Sequence, residues 1–403
     1  MLDFRFSEEQ DLFRKSIREF CKKTLAPNAR QMELKEKINP EVFEGFGELG
    51  LLGLTYREEY GGANADAVTA GIAAEEIGRA DVSCSTAVLY LVPASWGYVL
   101  QKYAKPELAK QVLPNVAKSR SFLGIATTEA GVGSDLGNMS TIARMEGDEY
   151  VLNGEKLYIS GVREAESELP EGGGYMVLAK TSPEKGVKGL TFFYLPVRQY
   201  PGVTITSLSE MGRRAFSAGG IVMNNVRLPK ENVIGEIDRG FFHAMEGFDL
   251  ARGIIAVVCA GASMAALEMG MDYIRERKAF GQPIGKYQGI QFKLAEHYAK
   301  IDAVRLLAYR GLWMWDEEQR NKRFQRLEVT KAIAEAKMLA PVFAFEAVND
   351  VLQWYGAFGY TLDCPIEMAL RGVRSYMLAE GSTEIMKLIV ARELLGKEYS
   401  ASK

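Results

Sequence analysis

The stretch Phe122-Leu-Gly-Ile-Ala-Thr-Thr-Glu-Ala-Gly-Val-Gly-Ser-Asp135 divides the chain. It begins as an apolar β-rich run and opens into a loop with two glycines, a serine and two acids. Before it, from Ser7 to about Val116, apolar residues recur at spacings of three and four, as in Leu12, Ile17 and Phe20 and then Phe43, Phe46, Leu49 and Leu52. That spacing predicts packed helices. Ser7 followed by Glu8, Glu9 and Gln10 reads as an N-cap with acids in the first turn of the first helix. After it, further short β-rich runs follow at Tyr150–Leu152, Tyr175–Ala179, Leu190–Leu195 and Gly220–Met223, separated by Gly, Pro, Asn and Asp. From about Gly240 to Leu395 the helical period returns in long segments, Phe241–Arg275, Gln288–Trp315 and Leu327–Tyr355. Breaks at Gly281-Gln282-Pro283 and from Gly356 to Pro365 divide these into an antiparallel bundle. The expectation is an α+β fold: an N-terminal helical domain over 1–120, a small barrel-like β domain over 121–236, and a C-terminal four-helix-bundle domain over 237–403.

A chain of 403 residues exceeds the size at which one core stops growing, so several domains are expected on length alone. The net charge is −3, from 49 basic and 52 acidic residues spread along the sequence. No basic tract would track a phosphate backbone, which argues against nucleic acid as a partner. No uncharged apolar run approaches the roughly 18 to 20 residues of a membrane span. The N-terminus carries acids at amphipathic spacing, unlike a signal or transit peptide, so a cytoplasmic location is expected. Cys21, Cys84, Cys259 and Cys364 lie far apart and read as buried or idle thiols. The two histidines, His243 and His297, lack partners at ligand spacing, so no metal site is expected. Chemistry must then rest on carboxylates and an organic cofactor. No Gly-x-Gly-x-x-Gly follows a strand, so a nucleotide would have to bind outside a Rossmann frame.

Four segments carry candidate chemistry, and each has a plain reading. The loop Thr128–Asp135 is a turn, or a site where Thr128 and Ser134 offer hydroxyls and the glycine backbone offers N–H donors to a polar ring and its phosphates. Asn153-Gly-Glu-Lys-Leu-Tyr-Ile-Ser160 looks like a hairpin turn leading into a strand. On that strand Tyr158 and Ser160 alternate onto one face, as a half-buried strand or a cofactor platform would have it. In Leu378-Ala-Glu-Gly-Ser-Thr-Glu-Ile385, Ser382 caps a helix and Glu384 complements its dipole. Glu380 is either a solvated loop charge or a carboxylate projecting into an apolar cleft, where burial raises its pKa to a useful range. Arg275–Gly281 ends a long helix with basic residues that suit the dipole, and Arg277 could equally hold a pyrophosphate.

In this order the segments resemble the acyl-CoA dehydrogenase family, from the N-terminal helices to Leu395. Thr128-Glu-Ala-Gly-Val-Gly-Ser-Asp135 looks like the family's Thr-Glu-Pro-Gly-Ala-Gly-Ser-Asp, and Tyr150-Val-Leu-Asn-Gly-Glu-Lys156 its Tyr-x-Leu-Asn-Gly-x-Lys hairpin. Glu276-Arg-Lys-Ala-Phe-Gly281 is similar to Glu-Arg-x-x-Phe-Gly, and Ala379-Glu-Gly-Ser-Thr-Glu-Ile385 to Tyr-Glu-Gly-Thr-x-Glu-Ile. The resemblance implies FAD bound between the β domain and the bundle, its adenosine half reaching a neighbouring subunit of a homotetramer, a dimer of dimers. Ile125, Thr127, Thr128, Gly133, Ser134, Tyr158 and Ser160 would then surround the flavin ring, with Ser160 bonding near N5. Arg277, Phe280, Gln288, Gln353 and Gly356 would hold the nucleotide half across the interface, with Ser382 and Glu384 nearer the ring. Ser134, Asp249 and Arg252 would face the CoA portion, with Gly381 at the substrate beside the base.

The implied reaction is removal by Glu380 of the proton α to the thioester while hydride passes from the β carbon to flavin N5, giving a 2,3-enoyl-CoA. Electron-transferring flavoprotein would reoxidise the flavin. Some members carry the base on the long helix after Leu-Asp-Leu, but Phe248-Asp-Leu-Ala-Arg252 places Ala251 there. The chain departs from the pattern with Tyr158 for a usual tryptophan, Ala379 for tyrosine, a longer acidic loop at Arg163–Gly173, no Ser-Asp-Thr in Met211–Ala218, and Arg371-Gly372 for Arg-Asp. Ala87, Val88, Leu91 and Ser95 would line the acyl pocket. No arginine among them meets a second carboxylate, so an apolar acyl group of short to medium length, branched or alicyclic, is expected and a glutaryl-type diacid disfavoured. The competing readings are an acyl-CoA oxidase using oxygen and a non-catalytic helical scaffold that binds flavin or acyl-CoA. Nitroalkane oxidation on this fold would be expected to use an aspartate base.

Overall fold

A computed structural model describes residues 4–399. The N-terminal helices are α1 (Glu8–Phe20), α2 (Ala26–Lys35), α3 (Pro40–Glu48), α4 (Ala67–Ala80), α5 (Ser85–Tyr103) and α6 (Pro106–Ala117). Ser7 caps α1 as its sequence suggests. Its hydroxyl accepts from Gln10 N at 3.1 Å while the Gln10 side chain accepts from Ser7 N at 3.1 Å. Helix α5 is apolar around nearly its whole circumference and is buried accordingly.

The β region forms one mixed sheet of eight strands: β1 (Phe122–Ala126), β2 (Ile142–Glu146), β3 (Glu149–Ser160), β4 (Gly173–Lys180), β5 (Leu190–Pro196), β6 (Val203–Leu208), β7 (Ala218–Pro229) and β8 (Val233–Ile234). Their order is β6-β7-β3-β2-β4-β5-β8, with β1 parallel to β4 from Phe122 opposite Gly173 to Ala126 opposite Val177. Strands β4 and β5 read as continuous apolar runs because they are buried on both faces. β2 and β6, exposed over most of their length, carry too mixed a pattern to stand out in the sequence.

Two local expectations change. Asn153-Gly154 is not a hairpin turn: it lies inside β3, where the register against β7 shifts between Leu152 and Gly154, and Asn153 Oδ1 accepts from Asn225 N at 2.9 Å. The turn joining β2 to β3 is at Gly147-Asp148. Nor do Tyr158 and Ser160 share a face by simple alternation. A second register shift between Leu157 and Ile159 leaves Tyr158 as a bulge residue with φ +62°.

The C-terminal helices are α7 (Gly240–Glu276), α8 (Gln288–Asn321), α9 (Arg326–Trp354), α10 (Pro365–Ser375) and α11 (Thr383–Leu395). A small hairpin, β9 (Lys278–Ala279) with β10 (Gln282–Pro283), separates α7 from α8. Helices α7, α8 and α9 pack side by side, α11 lies on α9, and α4 runs along α7. Leu312 of α8 nests between two glycines: a Cβ on Gly71 of α4 or on Gly253 of α7 would come within 2.6 Å of its methyl groups. That close approach draws the three helices together. Helix α7 is long and apolar enough to cross a bilayer, but 94% of its most apolar stretch is buried inside the protein. The acidic loop after β3 forms a helical turn, Glu164–Glu168, docked on the N-terminal helices through Arg163, whose guanidinium donates to Glu36 O at 2.7 Å.

Candidate active site

The end of β1, the bulge of β3, the middle of α5, the first half of α7 and the loop between α10 and α11 enclose a cleft of about 1570 Å³. Its chemical centre is the carboxyl of Glu380, in that last loop. Glu380 has φ +56° and Gly381 φ +94°, two successive residues in the left-handed region. Such a conformation in a side-chain-bearing residue costs on the order of 1–3 kcal/mol and persists only when its surroundings impose it.

Two buried cations impose it here. Lys337 of α9 donates from Nζ to Ala379 O at 2.8 Å and also to Gly381 O. Arg252 of α7 donates from Nε to Glu380 O at 2.8 Å. Three consecutive carbonyls are thus clamped, and the side chain between them turns into the cleft. Arg252 is itself fixed by Asp249 at 3.0 Å. The second oxygen of Asp249 accepts from Arg326 and from Thr330, each at 2.6 Å.

Glu380 Oε2 is inaccessible to solvent and has no hydrogen-bond partner. Burial pushes the carboxyl up from its ordinary value, while the charges of Arg252, Lys337 and Arg213 oppose that rise. Burial, with Arg252 beside it, pushes the Lys337 ammonium down to about 8. An orphaned carboxylate oxygen with a raised pKa in an apolar cleft is equipped to take a proton from carbon.

The opposite wall carries the β-domain motifs. Ile125, Thr127, Thr128, Gly133, Ser134, Tyr158 and Ser160 all line the cleft. Behind them Glu129 and Lys156, the acid and lysine of the two motifs, form a buried pair at 2.9 Å. Glu129 also accepts from Ser140 and Thr141, through both backbone N–H groups and both hydroxyls. Lys156 donates to Thr127 O at 3.2 Å, which ties the glycine loop to β3. A Cβ on Gly133 would meet nothing within 4 Å, so this loop faces open space rather than protein. Hydroxyls, an open glycine loop and an exposed Tyr158 around such a volume fit a flavin nucleotide.

Other expected site residues fall elsewhere. Val88 and Leu91 line the cleft, but Ala87 and Ser95 are fully buried on α5 outside its lining. Helix α5 presents a narrower stripe than the four residues imply. Gly381 and Ser382 line the cleft; Glu384 lies outside it, exposed at the start of α11 and held low by its own backbone N–H and Ser382. Asp249 and Arg252 reach the lining but are engaged in clamping the Glu380 loop rather than free for a ligand. Arg277, Phe280, Gln288, Gln353 and Gly356 are exposed on the bundle, away from the cleft, with Phe280 97% exposed.

The expectation of no arginine beside the acyl group concerned α5, and α5 contributes none to the lining. From elsewhere, Arg213, in the turn between β6 and β7, lines the cleft, as does Arg374 of α10. Lys337 also escaped the sequence reading, although a lysine on the stripe of Ile333, Ala336 and Ala340 is a visible anomaly in a buried helix face.

Comparison with known proteins agrees with the geometry. The N-terminal, middle and C-terminal domains of acyl-CoA dehydrogenase match residues 7–120, 124–226 and 238–395. The chain belongs to the acyl-CoA dehydrogenase family, and FAD is its cofactor. It is 34% identical to the probable acyl-CoA dehydrogenase YngJ of Bacillus subtilis, over 98% of this chain and 100% of that one. It is 32% identical to cyclohexane-1-carbonyl-CoA dehydrogenase of Geobacter metallireducens, over 97% and 99%. A glutaryl-coenzyme A dehydrogenase solved with glutaryl-CoA superposes with a TM-score of 0.91 at 30% identity, covering 100% of this chain and 99% of that one.

Proposed function

We propose that the enzyme oxidises the α,β bond of an acyl-CoA thioester to the 2,3-enoyl-CoA, with Glu380 as the base. The observation that carries this is the clamped loop, which holds an unpartnered carboxylate oxygen in the cleft opposite the flavin motifs. Glu380 takes the α proton. The acidity of that proton depends on stabilising charge at the thioester oxygen. The backbone N–H of Glu380 donates to no other group among the described residues, which leaves it available for that oxygen. Arg252 and Lys337 favour the ionised base, and the apolar side chains of Val88, Leu91 and Val92 exclude water from the acyl group. FAD, when bound by Thr127, Thr128, Ser134, Tyr158 and Ser160, supplies the acceptor for the hydride of the β carbon.

Arg277, Phe280, Gln288, Gln353 and Gly356 serve, on this reading, the nucleotide half of a cofactor in a neighbouring subunit of a homotetramer. Their exposure outside the lining of their own cleft supports that assignment. The electron acceptor is an electron-transferring flavoprotein.

Incubation with a panel of acyl-CoAs and an artificial electron acceptor under argon tests the reaction. The expected product is the thioester lacking two hydrogens. Steady peroxide formation in air would select the oxidase reading, and a colourless protein that still binds CoA thioesters would select the scaffold.

A further inference from the structure

The cleft contains a cation that proton abstraction does not require. Arg213 sits in the turn 209–217 with φ +60°, and its side chain is only 11% exposed. Its neighbour Arg214 turns the other way, to Glu36. Arg213 Nε is buried without a hydrogen-bond partner, and the only hydrogen bond of the guanidinium among the described residues is a 3.4 Å contact from Nη2 to Glu210. The guanidinium lies 5.7 Å from the ring centroid of Tyr376, which is itself buried with an unbonded hydroxyl. It is close enough to Glu380 to favour the ionised carboxylate there. Arg374, in the last turn of α10, also lines the cleft and has a buried Nη1 with no partner.

A guanidinium withdrawn from water and left largely unpaired is costly. A planar fork with unused donors matches a carboxylate in shape and charge. The cleft that holds both this fork and the base is also lined by Val88, Leu91 and Val92, which suit methylene groups. The ligand these features describe is apolar along its middle and anionic at its far end. We propose that Arg213 anchors a carboxylate at the distal end of the acyl group, so that the substrates are CoA monothioesters of dicarboxylic acids. The inference rests on the dehydrogenase reading and replaces the wholly apolar acyl group expected from α5.

Matched pairs of thioesters test it: glutaryl-CoA against pentanoyl-CoA and adipyl-CoA against hexanoyl-CoA, with the holoenzyme, Arg213→Met and Arg213→Lys. The wild type favours the carboxylated member of at least one pair by tenfold or more in kcat/KM. Removing one partner of a desolvated charge pair predicts a fall of about 30-fold or more for that member in Arg213→Met, chiefly in KM. Arg213→Lys recovers part of the loss. A wild-type preference for the methyl-ended member of both pairs overturns the proposal, and this ratio alone decides should Arg213→Met fail to retain flavin. An equal loss for both members in Arg213→Met also overturns it, because Arg213 would then act on Glu380 rather than on the acyl end. Absence of turnover with all four thioesters and with longer monocarboxylic ones would instead remove the dehydrogenase reading beneath it.

Discussion

Replacing Lys337 with methionine keeps the volume of the side chain but removes the charge and both hydrogen bonds that hold the loop on either side of Glu380. Hydrogen bonds from a charged donor contribute about 1.5–3 kcal/mol each, and the desolvation of a buried ammonium offsets part of that. A net loss of about 2–4 kcal/mol in stability follows. The second effect is electrostatic. Glu380 acts ionised, and burial already raises its pKa, so activity is present above that pKa and lost as pH falls through it. Removing a cation that opposes the rise moves the acid limb to higher pH. On that limb kcat/KM falls tenfold for each ~1.4 kcal/mol of stabilisation that the carboxylate loses. The pH profile of kcat/KM for Lys337→Met, measured beside Lys337→Arg, reads the effect, and the arginine variant should fall between. An unmoved acid limb in a Lys337→Met protein that folds and holds FAD would refute the reasoning.

Glu129→Gln should cost roughly 3–5 kcal/mol, because Lys156 is then buried without its counter-charge, and a lower midpoint of denaturant unfolding checks it. Against the upward push of burial, hydrogen bonds from Ser140 and Thr141 and the charge of Lys156 hold Glu129 down to about 2. Its contribution to stability is therefore present above its unfolded pKa of 4.5 and lost as pH falls from there toward 2, so the variant should show a flatter acid profile in that window. Gly381→Ala places a Cβ 2.9 Å from Met386 Cε and 3.2 Å from Arg252 Nη2 at φ +94°. It should lose about 1–3 kcal/mol of stability and reduce kcat by displacing the base, as thermal unfolding and steady-state kinetics would show.

The helix-β-helix order was legible because long helices and doubly buried strands impose strong periodicities, and Ser7 with Gln10 announced a real cap. The strand β2 and the bulge at Tyr158 were not, since a register shift leaves no mark in an alternating pattern. Glu380 and the motif residues of the opposite cleft wall stood out because each sits in a short, compositionally distinct stretch of sequence. The clamp on that loop was hidden for the opposite reason: Lys337 and Arg252 come from helices 43 and 128 residues away in sequence from Glu380. Arg213 and Arg214 are indistinguishable as a sequence pair, and only the turn's left-handed Arg213 decides which one enters the cleft.

The central claim is that Glu380, pinned at φ +56° between two clamped carbonyls, removes the α proton. Rapid anaerobic mixing of the FAD-loaded enzyme with its best acyl-CoA, followed by flavin absorbance, measures it most directly in the wild type and in Glu380→Gln. A positioned general base contributes about 10²- to 10⁴-fold, so the variant should bind the thioester while its flavin bleaches at least a hundredfold more slowly. Bleaching by Glu380→Gln at the wild-type rate would contradict the account.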